Sequence, residues 1–401
     1  MLKPSEEQVQ IAKNTRFIGK LEGNTKGPTV VFFGGIHGNE PAGVKALEHV
    51  FFRLQEIPLE IKGTICGIRG NIPALLQKKR FINADLNRLW THAQIIEIEN
   101  KPHETLGPEE MELLDIKHTL TKLLKEQSPP FYFIDFHTTS SKTLPFITIN
   151  DALINRKFSQ QFPVPIILGI EEYLEGPLLS RMNQFGYVSL GFESGQHNEE
   201  ISITNSISFF WLCLVFAGVL QKETVPNFEG HYKQLSLSAQ NNSTFYEVAF
   251  RHVLKPDTVF AMLPGFESFQ KVEKGMLLAY QDEKEVRAER DTMLFMPLYQ
   301  EQGAEGFFLI SEISKCALAW SVALRRIKFD HLLVYLPGIS WEGPKKEALL
   351  VNLSVARFFA KSFFHLLGYR SQQKNDVEVV MYNRELTAKN TMYRNEGWYR
   401  S

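Results

Sequence analysis

The chain has 401 residues, 44% hydrophobic and 22% charged, with 44 Lys+Arg against 45 Asp+Glu and a formal net charge of −1. That is an ordinary globular composition, with length enough for two domains, and it excludes disordered, collagen-like and mucin-like chains. The even charge balance removes the electrostatic footprint of a general nucleic-acid or anionic-membrane binder. Three widely spaced cysteines, Cys66, Cys213 and Cys316, make neither a disulfide framework nor a metal cluster and point to reduced thiols in a cytoplasmic protein.

The opening MLKPSEEQVQIAKNTRF has no apolar core for a signal peptide. From there, short β-branched and aromatic runs alternate with helical patterns, the mark of an α/β sheet. Strands are expected at Thr29–Phe33, Gly63–Arg69, Phe131–Phe136, Phe146–Asn150, Pro165–Leu168 and Tyr187–Phe192. Helices are expected at Pro41–Leu54, Gly107–Glu126 and Ser206–Gln221. The apolar run Ile207–Leu220 falls short of the roughly 20 residues that a membrane span needs and reads as a buried core helix. Pro226, Gly230 and their polar neighbours suggest a linker over Lys222–Gln234. Between Thr244 and Ile310 short strands are separated by Pro-Gly, Lys-Gly and Asp-rich turns, as in a small all-β domain. Pro344–Leu367 has the pattern of one long helix, with Pro in its first turn and Gly368 past its end. Its broad face, widened by Phe358 and Phe364, leaves two readings open: packing against a partner subunit in a homo-oligomer, or covering the β-rich segment of its own chain. The divisions expected are 1–225, 226–315 and an extension over 316–401.

The chemistry concentrates in four places. In VVFFGGIHGNEPAG an apolar strand runs into Gly34-Gly35, then His37 and Glu40, then a helix. Two histidines and one carboxylate are the usual hydrolytic zinc set, with a fourth position left for water. The spacing alone is weak, because about one His-x-x-Glu arises by chance and His197/Glu200 supplies a second. His137 in FIDFHTTSS, also at a strand end, offers the third ligand, with Asp135 placed to lie beneath it. Open α/β sheets gather ligands at the carboxyl ends of their strands, so both places fall along one edge. The segment KKRFINADLNR carries Arg80, Asp85, Asn87 and Arg88, and guanidinium groups there suit an anionic substrate as well as a solvated turn. Glu193 in SLGFESGQH follows an apolar strand, where a half-buried carboxyl beside a metal-bound water could act as general base and a loop salt bridge is the plainer alternative.

In this order GGIHGNE, ADLNR, DFH and FESG resemble the succinylglutamate desuccinylase/aspartoacylase family of zinc-carboxypeptidase-like amidohydrolases, over about residues 28–310. The resemblance implies a three-layer α/β/α sandwich with a mixed sheet, a smaller C-terminal β-rich domain that caps the site, and here a helical C-terminal extension. It implies one zinc per subunit on His37, Glu40 and His137, and Glu193 as catalytic base. Arg80 would polarise the acyl carbonyl, and Asn87 and Arg88 would hold the substrate carboxylate. Asp85 would orient its neighbours. Arg181 and Tyr299 stand, with looser spacing, where the family has a further substrate arginine and a β-domain tyrosine. The implied activity is hydrolysis of a small N-acyl amino acid in the cytoplasm, with no nucleic-acid or membrane partner. A zinc carboxypeptidase acting on peptides and a non-catalytic carboxylate-binding relative are the alternatives.

Overall fold

Runs without polar interruption, such as VVFF at 30–33 and FYFIDF at 131–136, form strands buried on both faces, as a sheet between two helical layers requires. The computed structural model describes residues 15–400 except 58–59, 256, 328–329, 344–345, 347, 357–366 and 376. Its strands are β1 (Phe17–Glu22), β2 (Thr25–Gly34), β3 (Lys62–Arg69), β4 (Phe131–Thr139), β5 (Phe146–Ile149), β6 (Ile166–Leu168), β7 (Val188–Gln196) and β8 (Phe245–Val253). After these come β9 (Phe260–Met262), β10 (Gln270–Val272), β11 (Leu277–Gln281), β12 (Lys284–Arg287), β13 (Thr292–Phe295) and β14 (Glu305–Glu312).

Eleven of them form one mixed sheet in the order β1-β3-β2-β4-β7-β5-β6-β8-β14-β13-β10. β3, β2, β4 and β7 run parallel, whereas β1 and β5 oppose their neighbours β3 and β7. Side chains alternate between two cores. Val30, Phe32, Tyr132 and Ile134 pack with Leu47 and Phe51 of the helix Ala42–Glu56 and with Phe209 and Phe210 of the helix Glu200–Phe216. Val31, Phe33, Phe131 and Phe133 face the helix Pro108–Glu126 through Leu113 and Ile116. The run read as a buried core helix is helical from Ile207 to Phe216, inside Glu200–Phe216, and its last four residues form a turn; among the described residues no helix is long and apolar enough to cross a membrane.

Three expectations change. The segment read as a linker runs into the helix Phe228–Ser238, whose Phe228 and Leu235 are buried and whose His231 ring stacks on Trp211. The β-rich segment continues the main sheet through the parallel pairing of β6 with β8, Ile166 opposite Phe245, with a small sheet β12-β11-β9 beside it. The extension carries the expected helical part and a sheet as well. Besides the helix Lys315–Arg326 and short helices after Asn383, it holds an antiparallel sheet of β15 (Ile339–Trp341), β16 (Ala348–Asn352), β17 (Tyr369–Gln373) and β18 (Glu378–Asn383). Part of the helix expected over Pro344–Leu367 is therefore strand β16, whose Leu349 and Val351 enter a core of their own. Residues 357–366, with Phe358, Phe359, Phe363 and Phe364, lie outside the described residues.

The end of the extension is stitched to the back of the main sheet. The fully buried Tyr393 hydroxyl accepts from the Val188 N–H at 2.9 Å and donates to the Phe131 carbonyl. Trp398 Nε1 donates to the Tyr132 hydroxyl at 3.1 Å. Tyr393→Phe strips partners from two buried backbone groups, which costs about 1–3 kcal/mol. Urea unfolding is expected to show that loss as a lower midpoint with an unchanged slope.

Candidate active site

The Gly-rich turn after β2 has a steric reason. Gly35 sits at φ 74°, in the left-handed region, and a Cβ on Gly38 would lie 2.1 Å from the Ala74 carbonyl carbon. The Gly38 N–H donates to the Arg80 carbonyl at 3.1 Å, so this turn and the segment after β3 are held together. The turn aims His37 and Glu40 at the end of β4, where His137 stands in register with Glu193 of β7.

Glu40 is the centre of the cluster. Its Oε1 lies 2.9 Å from His37 Nδ1 and its Oε2 lies 3.0 Å from His137 Nδ1. One ligand atom from each of His37, Glu40 and His137 falls within 4.8 Å of the others, all three residues being buried. The far ring nitrogens rest on carboxylates: His37 Nε2 on Asp85 at 3.1 Å and His137 Nε2 on Asp135 at 2.8 Å. Such outer carboxylates fix the imidazole tautomer and leave Nδ1 as the ligand atom. Burial opposes the Glu40 carboxylate, yet His37 and His137 outweigh it and hold its pKa well below the usual value. Burial likewise opposes the His137 imidazolium, but Asp135 and Glu40 hold its pKa well above the ordinary one. This donor set of two nitrogens and one carboxylate suits zinc.

Around the cluster stand the other expected residues. Burial pushes the Glu193 carboxyl up to about 7, and its Oε2 has no hydrogen-bond partner. Arg80 donates to Glu40 Oε1 at 3.3 Å and to Asp85 Oδ2 at 3.2 Å, while its Nε is buried without a partner. Asp85 Oδ1 also accepts the Asn87 N–H at 2.9 Å and starts the single 3-10 turn Leu86–Arg88. Asn87 Oδ1 is occupied by the Leu178 N–H at 3.0 Å, which leaves its amide nitrogen to donate to a ligand. These residues line a cavity of about 150 Å³ with Asn87, Arg88 and Glu193 in its wall, a size comparable to a cavity that takes up benzene.

Two expected residues are not brought there. Arg181, on the helix Leu178–Gln184, stacks on Phe185 at 4.6 Å and bonds Gln184, and Tyr299 turns its hydroxyl to the Leu263 carbonyl at 2.6 Å. Neither lines the cavity; Arg181 fails because its helix turns it towards its own last residues. Three titratable lining residues were not anticipated as site residues. His197, known only as a spare His-x-x-Glu, bonds Thr138 Oγ1 at 2.8 Å and Gln300 Oε1 at 3.0 Å, and burial lowers its pKa. Glu305 of β14 reaches Arg88 at 3.5 Å, and Glu171 enters from the loop after β6. Met296, Leu298 and Gln300 close the cavity from the β-rich segment.

Residues 26–199 match the family model for the succinylglutamate desuccinylase/aspartoacylase catalytic domain. A succinylglutamate desuccinylase of Photorhabdus laumondii subsp. laumondii is 31% identical over 121 residues, 29% of this chain and 34% of that protein. Another, of Pseudoalteromonas atlantica, is 31% identical over 84 residues, 21% of this chain and 24% of that protein. The chain thus matches only about a third or less of the length of these curated relatives. Among solved structures, the product-bound ectoine utilization protein EutE of Ruegeria pomeroyi aligns with a TM-score of 0.54 at 18% identity, covering 74% of this chain and 88% of that one. A succinylglutamate desuccinylase/aspartoacylase of Rhodobacter sphaeroides aligns with a TM-score of 0.53 at 18% identity, with the same coverage of 74% and 88%. These similarities establish a shared zinc-carboxypeptidase-like α/β fold.

Proposed function

Through residues 26–199 the chain belongs to the succinylglutamate desuccinylase/aspartoacylase family, and on that premise we propose that it is a zinc-dependent hydrolase of the amide bond in a small N-acyl amino acid. The observation that carries this reading is the convergence of His37, Glu40 and His137 beside Glu193, which is buried and stands opposite His137 on the next strand. Zinc, when bound there, supplies a water of lowered pKa and a Lewis acid for the acyl carbonyl. Glu193 takes the proton of the attacking water and delivers it to the nitrogen of the leaving amine, so the amide C–N bond breaks to a carboxylate and a free amine. Burial raises the Glu193 pKa in the metal-free protein, the direction that suits a group that must accept and then donate one proton. Arg80, with its unpartnered Nε, stabilises the developing oxyanion, a contribution typically of a few kcal/mol per well-placed donor. Asn87 and Arg88 hold the substrate carboxylate.

The small cavity, lined on one side by Met296, Leu298 and Gln300, favours a small acyl amino acid over a peptide. Three free cysteines suit the reducing cytoplasm. The test is free-amine release from a panel of N-acyl amino acids by the zinc-loaded protein and its Arg88→Ala variant. Turnover by the wild type is expected, with KM raised roughly tenfold or more in the variant because a charged hydrogen bond to substrate is lost. Stoichiometric zinc without turnover of any panel member, or turnover of short peptides instead, overturns this reading.

A further inference from the structure

The wall of the cavity beyond Asn87 and Arg88 contains a carboxylate that the proposed chemistry does not use. Glu171 is 2% exposed and lines the cavity beside Asn150, Ser180 and Leu174. Its Oε1 is doubly engaged, by the Asp151 N–H at 3.2 Å and by Arg384 at 2.8 Å, whereas its Oε2 has no hydrogen-bond partner. The same Arg384 nitrogen also serves Glu172 at 3.0 Å, so one guanidinium nitrogen faces two carboxylates. Burial pushes the Glu171 pKa up against the pull of Arg384. A buried carboxylate oxygen left without a donor is costly, and a ligand donor bearing positive charge relieves that cost.

The position of Glu171 says which half of the substrate would supply it. Its loop is fastened to the segment that holds the substrate carboxylate: Trp90 N–H donates to the Gly176 carbonyl at 3.0 Å and Leu178 N–H to Asn87 Oδ1 at 3.0 Å. A Cβ on Gly176 would lie 2.1 Å from the Arg88 carbonyl oxygen, so loop and segment are in direct contact. The amino-acid half, anchored at Arg88, is therefore the half beside Glu171. Arg384 comes from the extension, where Asn383 caps its short helix and its NH1 donates to the Tyr369 carbonyl at 2.9 Å. Its neighbour Glu385 receives Arg325, which also clasps Asp151 at 2.7 Å. The extension thus braces the residue next to Asn150 and Glu171 itself.

We infer that Glu171 recognises an ammonium or guanidinium group on the amino-acid half of the substrate, and that Arg384 of the C-terminal extension positions it. The substrate class is then an N-acylated basic amino acid, its carboxylate on Arg88 and its side-chain cation on Glu171. This inference rests on the deacylase reading for the scissile bond, but not for the subsite.

The test is calorimetric titration of the zinc-loaded full-length protein with L-ornithine, L-norvaline and L-glutamate, beside turnover of their N-acetyl derivatives. Ornithine is expected to bind about tenfold or more tightly than norvaline, since a site built around an unpaired polar group rejects the analogue lacking its partner. Glu171→Gln removes that preference and leaves norvaline unchanged. Arg384→Met raises KM for the basic substrate with little change in kcat, and Arg384→Lys restores part of it, a split that general loss of structure does not produce. Norvaline or glutamate binding as tightly as ornithine, no binding of any of the three, or an equal effect of Glu171→Gln on all three overturns the inference. Wild-type discrimination alone decides the matter where a variant does not fold. Ornithine selectivity without turnover overturns the deacylase reading and leaves the subsite standing.

Discussion

Glu193→Gln is expected to keep its zinc and its fold and to lose nearly all turnover, on the order of a thousandfold for a missing general base. The exchange keeps shape and hydrogen-bonding reach but removes the group that can accept a proton. Glu193 is held by β7 opposite His137, too buried for solvent to take over its role. The measurement is kcat beside zinc content: wild-type kcat with full zinc would end the assignment of Glu193 as base. The metal-free protein offers a second, independent readout. Because the folded pKa of Glu193, about 7, lies above the ordinary carboxylate value of 4.5, folding disfavours its ionised form. Its burial therefore costs nothing below about 4.5, costs progressively more as pH rises towards 7, and the penalty is constant above. Metal-free Glu193→Gln should accordingly be more stable to urea than the metal-free wild type at pH 8, by on the order of 3 kcal/mol, and the gap should close as the pH falls.

His137→Ala is expected to empty the metal centre and to weaken the fold at once. Zinc content should drop from one per chain to near none and turnover should fall below detection, because a water-activating site cannot be held by two ligands in this arrangement. The structural loss arises beneath it. Asp135 is fully buried, its Oδ2 rests on His137 and its Oδ1 has no partner, so removing the imidazole leaves a buried carboxylate alone. Losing one member of a buried ion pair costs roughly 3–5 kcal/mol, read as a lower urea midpoint. Asp135→Asn separates the two effects: the zinc ligand remains, and metal affinity weakens about 10- to 100-fold, as for other groups that orient a ligand. Full zinc occupancy in His137→Ala would remove it from the ligand set.

The parts of this architecture that could be read from the chain are those with local causes. Strands buried on both faces are continuous apolar runs, so β2, β3, β4 and β7 stand close to where Thr29–Phe33, Gly63–Arg69, Phe131–Phe136 and Tyr187–Phe192 were expected. The helix Glu200–Phe216 begins six residues earlier than Ser206, because its first turns are polar and carry no apolar period. β16 was misread because Leu349 and Leu353 fall at helical spacing while Leu349 and Val351 fall at strand spacing, and partners β15 and β18 decide between them. At the site, the meeting of His37, Glu40 and His137 was legible because two recognisable strings put them in the turn after β2 and at the end of β4. Glu171 and Glu305 were not, since each stands alone in sequence and reaches the cavity only through tertiary closure. Arg181 shows the converse: nearness in sequence to Glu193 carried no information about which side of its helix it occupies.

The stitching of Tyr393 and Trp398 to the catalytic sheet has a consequence for how this molecule comes into being. Trp398 and Tyr132 are separated by 266 residues, and Tyr393 and Phe131 by 262. During synthesis the segments that carry His37, Glu40, His137 and Glu193 emerge long before the side chains that cover the back of their sheet. Until residues 393–398 leave the ribosome, the Val188 N–H and the Phe131 carbonyl must be served by water, and the aromatic surface of Tyr132 and Phe158 stays open. The half that carries the site is thus made well before its back is covered, and a nascent chain carries a sticky, half-wetted sheet until residues 393–398 follow.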